Sequence, residues 1–192
     1  GSITVKELSY DGVIYKKKDI PIEEHKSYLN SLKSKAEVID AAIYKYLFDN
    51  VPDERKSELL WAYDSLFYVL QFYPELMAME QKREIWYQEL TRPAHRDQDD
   101  YNRLCANIAD FEQYVRSLIQ RSKWDLLRTE VGEEHEKEMI QYALVEHNTP
   151  TSISSDEINM LFRVVDILIN MHKALYSTAR KTIGHLMQMV SL

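Results

Sequence analysis

Arg180 and His185 stand five positions apart near the end of the sequence, within Arg180-Lys181-Thr182-Ile183-Gly184-His185. A guanidinium is a permanent planar cation, and an imidazole titrates near neutrality. Together they have the chemistry to stabilise a phosphorane and move its proton without a metal. On a straight helix, residues five apart point roughly 140° away from each other, so the pair acts as one site only across a distortion or with a second chain. The other histidines offer less. His25 and His172 fall on apolar stripes, where an imidazole is expected as a hydrogen-bonded core or interface residue. His135 and His147 flank an acidic run of Glu133, Glu134, Glu136, Glu138 and Glu146. No Glu-x-x-His and no His-Glu-x-x-His occurs, so the run reads as a solvated face and no metal centre is expected. Cys105, the single cysteine, lies between Leu104 and Ala106 and is expected as an inert buried thiol. The four glycines lack phosphate-loop spacing, so no cofactor is expected, and no Gly-x-Ser-x-Gly marks a nucleophilic serine.

The Arg180-x4-His185 arrangement, near the end of a helical chain, resembles the motif of the HEPN ribonucleases. That resemblance implies metal-independent RNA cleavage in a cleft between two subunits, the 2′-hydroxyl attacking the neighbouring phosphate. Arg180 would then stabilise the phosphorane and His185 would act as acid and base. RNA is a partner on this reading alone.

Positioning any of these groups falls to a set of helices. Asp11-Gly12 between Ile3, Val5 and Val13, Ile14, Tyr15 predicts a two-residue β-hairpin over residues 1–20. From Pro21 the apolar spacing changes to threes and fours. Ile22, His25, Leu29, Leu32, Ala36, Ile39, Ile43 and Tyr46 predict a first helix, closed by Asn50-Val51-Pro52. Leu59, Tyr63, Leu66, Leu70 and Tyr73 predict a second. Pro74 is expected to start a third carrying Leu76, Met79, Trp86 and Leu90. A fourth, from Asp99-Asp100 to about Arg128, carries Leu104, Ile108, Phe111, Val115 and Leu118. Gly132 should end it and Glu133-Glu134 begin a fifth reaching about Glu146. Ser154 with Glu157 fits a capping box ahead of the last helix, whose stripe runs Phe162, Val165, Ile169, His172, Tyr176, Ala179, Ile183, Leu186, Val190. Residues 91–100 form the most polar connection, the place where a hinge would fall. The aromatic clusters around Trp61, Tyr63, Phe67 and Tyr68 predict that the second helix is apolar on more than one side. A small-ligand pocket between the aromatic helices is a third reading.

The expected architecture is therefore an all-α bundle of about six helices with a short N-terminal hairpin, residues 21–192 forming one domain. The chain has 192 residues, 45% hydrophobic and 29% charged, and carries 24 basic against 31 acidic groups, a net −7. That balance fits a folded chain and gives no global attraction to a nucleic-acid backbone. A lone cysteine fits a reducing compartment, and no apolar run approaches the ~18 residues of a membrane span, so a cytoplasmic protein is expected. Apart from the ribonuclease resemblance, the residues favour a non-enzymatic protein-interaction or assembly module. It would be of the kind seen in immunity proteins, antitoxins and inhibitors, its partner another protein or a second copy bound through the last helix.

Overall fold

The computed structural model describes residues 2–5, 8–10, 13–15, 18–21, 41–91, 97–145 and 155–190. In the N-terminal segment the backbone forms four short strands: β1 (Ser2–Val5), β2 (Leu8–Tyr10), β3 (Val13–Tyr15) and β4 (Lys18–Pro21). β1 pairs antiparallel with β4, Ile3 opposite Ile20, and β2 pairs antiparallel with β3, Ser9 opposite Ile14. The residues joining these strands lie outside the described ones, and the hairpin expected over residues 1–20 is not established by the pairings.

From residue 41 onward the described chain is all-α. Its elements are α1 (Ala41–Asn50), a 3-10 turn at Asp53–Arg55, α2 (Lys56–Thr91), α3 (Gln98–Arg121), α4 (Trp124–Leu144) and α5 (Ser155–Val190). The expected helical bundle is present. The chain divides into two compact units, residues 1–71 with 174–192 and residues 72–173. Both α2 and α5 contribute to each.

In the first unit, Tyr44, Leu47 and Phe48 of α1 meet Leu59, Tyr63 and Leu66 of α2 and Ala179 and Leu186 of α5. Tyr44 and Tyr63 pack edge to face at 4.8 Å, the geometry that aligns a positive ring edge with a negative ring face. The expected α1 stripe is off by one register: Tyr46 is 52% exposed, while Tyr44 and Leu47 are fully buried. Apolar residues nearly encircle α1, so spacing alone offers two faces, and the one that buries Leu47 and Phe48 as well as Tyr44 wins. His25 and the stripe from Ile22 to Ile39 lie outside the described residues. Lys56 closes the C-terminal end of α1: its ammonium donates to the Phe48 carbonyl and, at 3.2 Å, to that of Val51. It also sits 3.7 Å from Asp53 and over the Phe48 ring. A cation there satisfies carbonyls that have no partner inside the helix and faces the negative end of its dipole.

Pro74 does not start a third helix; α2 runs continuously from Lys56 to Thr91 with the proline inside it. An internal proline costs about 3 kcal/mol. Phe72, Leu76 and Met79, each no more than 8% exposed, are buried around it, and burial of one such side chain is worth about 1.5–3 kcal/mol. Burial wins. Trp61, Tyr63 and Tyr68 are all buried, so α2 is indeed apolar on more than one side.

The fourth predicted helix also ends elsewhere. α3 stops at Arg121, not near Arg128, because Ser122 Oγ donates to the Leu118 carbonyl at 2.8 Å and Trp124 Nε1 to that of Ile119 at 3.0 Å. These side chains satisfy last-turn acceptors and let the chain turn. At its other end Asp97 caps α3, accepting from the Asp100 amide at 2.8 Å. The predicted stripe of α3, from Leu104 to Leu118, is buried throughout. Gly132 does interrupt helical geometry, at φ 71° and ψ 172°, but within α4. In α5, Val165, Ile169, His172, Ala179 and Leu186 are buried and Phe162, Tyr176, Ile183 and Val190 half-buried, as the spacing predicts. Ser154 of the expected capping box lies outside the described residues.

Candidate functional site

His172 is fully buried in the second unit, its ring stacked on Phe72 at 4.9 Å and 6°. Nδ1 donates to the Leu168 carbonyl at 2.7 Å. Burial lowers its pKa to about 4, against a smaller upward pull from that hydrogen bond. A neutral, enclosed imidazole is a core residue, as its place on the stripe suggested. Cys105 is 2% exposed. The acidic run of α4 makes ion pairs. Arg128 forks onto Glu136 at 2.7 and 2.8 Å, holding that carboxyl below the usual range, and Glu138 pairs with Arg163 at 3.4 Å. Glu133 and Glu134 are exposed, and His147 and Glu146 lie outside the described residues.

Arg180 and His185 are both exposed on α5. Arg180 Nη1 donates to the Tyr176 hydroxyl at 2.9 Å, one turn back, and the guanidinium lies 5.6 Å from that ring centroid. α5 passes through both positions as one helix, which separates them by roughly 140° about the axis and about 7.5 Å along it. Within one chain the two groups are not brought together.

What sequence reasoning missed lies around them. Tyr46 of α1, 52% exposed, donates through its hydroxyl to the Val190 carbonyl at 3.4 Å, which fastens it to the end of α5. One turn back on α5, Met187 is 39% exposed, and Met189 is 41% exposed. Tyrosine and methionine are enriched in the cores of protein interfaces. The α5 part of this surface is basic: Arg180, Lys181 and His185 are exposed, and no Asp or Glu occurs from residue 167 to 192, while on α1 beside Tyr46 the exposed Asp49 pairs with Lys45 at 3.1 Å. Two signals were available in the sequence, methionines off the main stripe and an acid-free stretch in a chain of net −7.

A cleft of about 330 Å³ lies in the second unit, between α2 and α3. Ile85, Trp86 and Leu104 give it an apolar wall, and Glu89, Asp100 and Arg103 line its polar part. Arg103 pairs with Asp100, so much of the lining charge is internally matched. No helix among the described residues is long and apolar enough to cross a membrane.

No family model, curated protein or solved structure matches the chain.

Proposed function

We propose that the protein is a non-enzymatic interaction module of the immunity, inhibitor or antitoxin kind, acting in the cytoplasm and docking a protein partner on the end of α5. One observation carries this reading: Tyr46, fastened to the Val190 carbonyl, and Met187, one turn before Val190 on the same helix, hold apolar surface in water at the end of α5. Neighbouring apolar side chains held in water with polar groups around them have the anatomy of a docking surface. The N-terminal hairpin over residues 1–20 belongs to the same proposal. A two-stranded element is marginal alone in water and would rest on the helices or pair with a partner's strand.

Site-specific photo-crosslinking in living cells tests the reading. With p-benzoylphenylalanine at Met187 or at Tyr46, one discrete adduct of fixed mass is expected, and none with the probe at the exposed Asp110. Absence of an adduct at both positions, or the same smear at all three, would dispose of the module.

The alternative is the HEPN-like ribonuclease, favoured by the exposure of both Arg180 and His185 on a stretch free of carboxylates. It requires two chains to bring the groups together. Labelled RNA incubated with the protein in EDTA should then be cleaved, and His185→Ala should abolish the cleavage.

A further inference from the structure

We infer that the partner presents an acidic helix to the outer face of α5 in the first unit, an inference that rests on the interaction-module reading above. The face is a row of exposed residues at helical spacing: Ser177, Arg180 with Lys181, Gly184 with His185, and Gln188. Its ionisable members are all basic, in a protein whose other surfaces must carry the excess of 31 acidic over 24 basic groups. Lys181 and His185 are four apart and Arg180 adjoins Lys181, so the three basic side chains form one short row along the helix. Carboxylates at i and i+4 on an opposing helix match that repeat.

Gly184 supplies the second, independent observation. A Cβ built on it would meet nothing within 4 Å, so the chain's own packing does not demand a glycine. Glycine inside a helix costs about 1 kcal/mol relative to alanine. With Ser177 seven residues earlier, it leaves a shallow line along α5 where another backbone can approach closely. Arg180 flanks that line, one of its five N–H donors held by Tyr176. Tyr46 and Met187 continue the surface with apolar area.

An acidic protein helix fits this face better than RNA or a second copy does. Exposed apolar side chains adjoining so few cations suit a protein, and a chain of net −7 repels a long polyanion. Two copies placed face to face would set Arg180 and Lys181 against like charges. An acidic helix with an apolar edge satisfies both the charge and the surface beside it.

The test uses the full chain and two synthetic amphipathic helical peptides with the same apolar face, one flanked by glutamates and one by lysines, alongside a single-stranded RNA oligonucleotide. Fluorescence anisotropy should show the glutamate peptide binding at least about tenfold more tightly than the lysine peptide, with affinity falling as salt rises. Arg180→Glu/Lys181→Glu should reverse that order, and Gly184→Leu should weaken the glutamate peptide about tenfold while circular dichroism stays unchanged. Equal affinity for the two peptides, no binding of the glutamate peptide, tighter binding of the RNA, or dimerisation through α5 that the double reversal strengthens would each overturn the inference. If the double reversal leaves binding intact while Tyr46→Asp removes it, the acidic partner falls and the interaction module stands. If the crosslinks at Met187 and Tyr46 are also absent, both fall.

Discussion

His172 shows what one buried side chain does to a pH profile. Its native ring stays neutral down to about pH 4 because charging it would bury a cation against Phe72, whereas an unfolded chain protonates it near 6.5. Below 6.5 the unfolded state therefore binds a proton that the native state refuses. Stability is full above about pH 6.5 and is lost as pH falls towards 4, by up to about 3 kcal/mol. Urea titrations at pH 7 and pH 4.5 should show this loss, and His172→Leu should remove most of the difference. Gly132 poses a question of backbone rather than charge. At φ 71° and ψ 172° it occupies a region nearly reserved for glycine, although a Cβ there would touch nothing. Gly132→Ala should destabilise the protein by about 1–3 kcal/mol through strain alone, measured by chemical denaturation.

Among the elements, the ends and interruptions of helices carry the testable energetics. Lys56 satisfies two carbonyls at the end of α1 and lies almost wholly out of water. Lys56→Met keeps the stem's packing and orphans those acceptors, with an expected loss of about 2 kcal/mol in the same measurement. Pro74 runs the other way. It removes one rung from α2 without ending it, so Pro74→Ala should raise the thermal midpoint by an amount equivalent to about 1–3 kcal/mol. These two places also explain why boundaries were harder to read than helices. Proline's local preference predicted a break, and only the burial of Phe72, Leu76 and Met79, a tertiary fact, overrides it. The early end of α3 depends on Ser122 and Trp124 reaching back to carbonyls, which no periodicity reports. By contrast α5, with a nearly unbroken apolar repeat, was legible along most of its length.

For the whole molecule, the all-α character followed from spacing, while the division into two units, each drawing on parts of α2 and α5, left no mark in it. The candidate surface was legible only in part. Arg180 and His185 drew attention as a motif, yet Tyr46 reaches the end of α5 from 144 residues away along the chain, a juxtaposition that exists only after folding. The solitary cysteine now acquires a use. Cys105 is sealed in the second unit together with His172, so a thiol reagent such as dithionitrobenzoate can reach it only when that unit opens, and no other sulfhydryl competes for the signal. Divided by the rate of a small free thiol at the same pH, the rate of colour development becomes a clock for that opening. It should run faster as the solution is acidified from pH 6.5 towards 4, and the acceleration should vanish in His172→Leu.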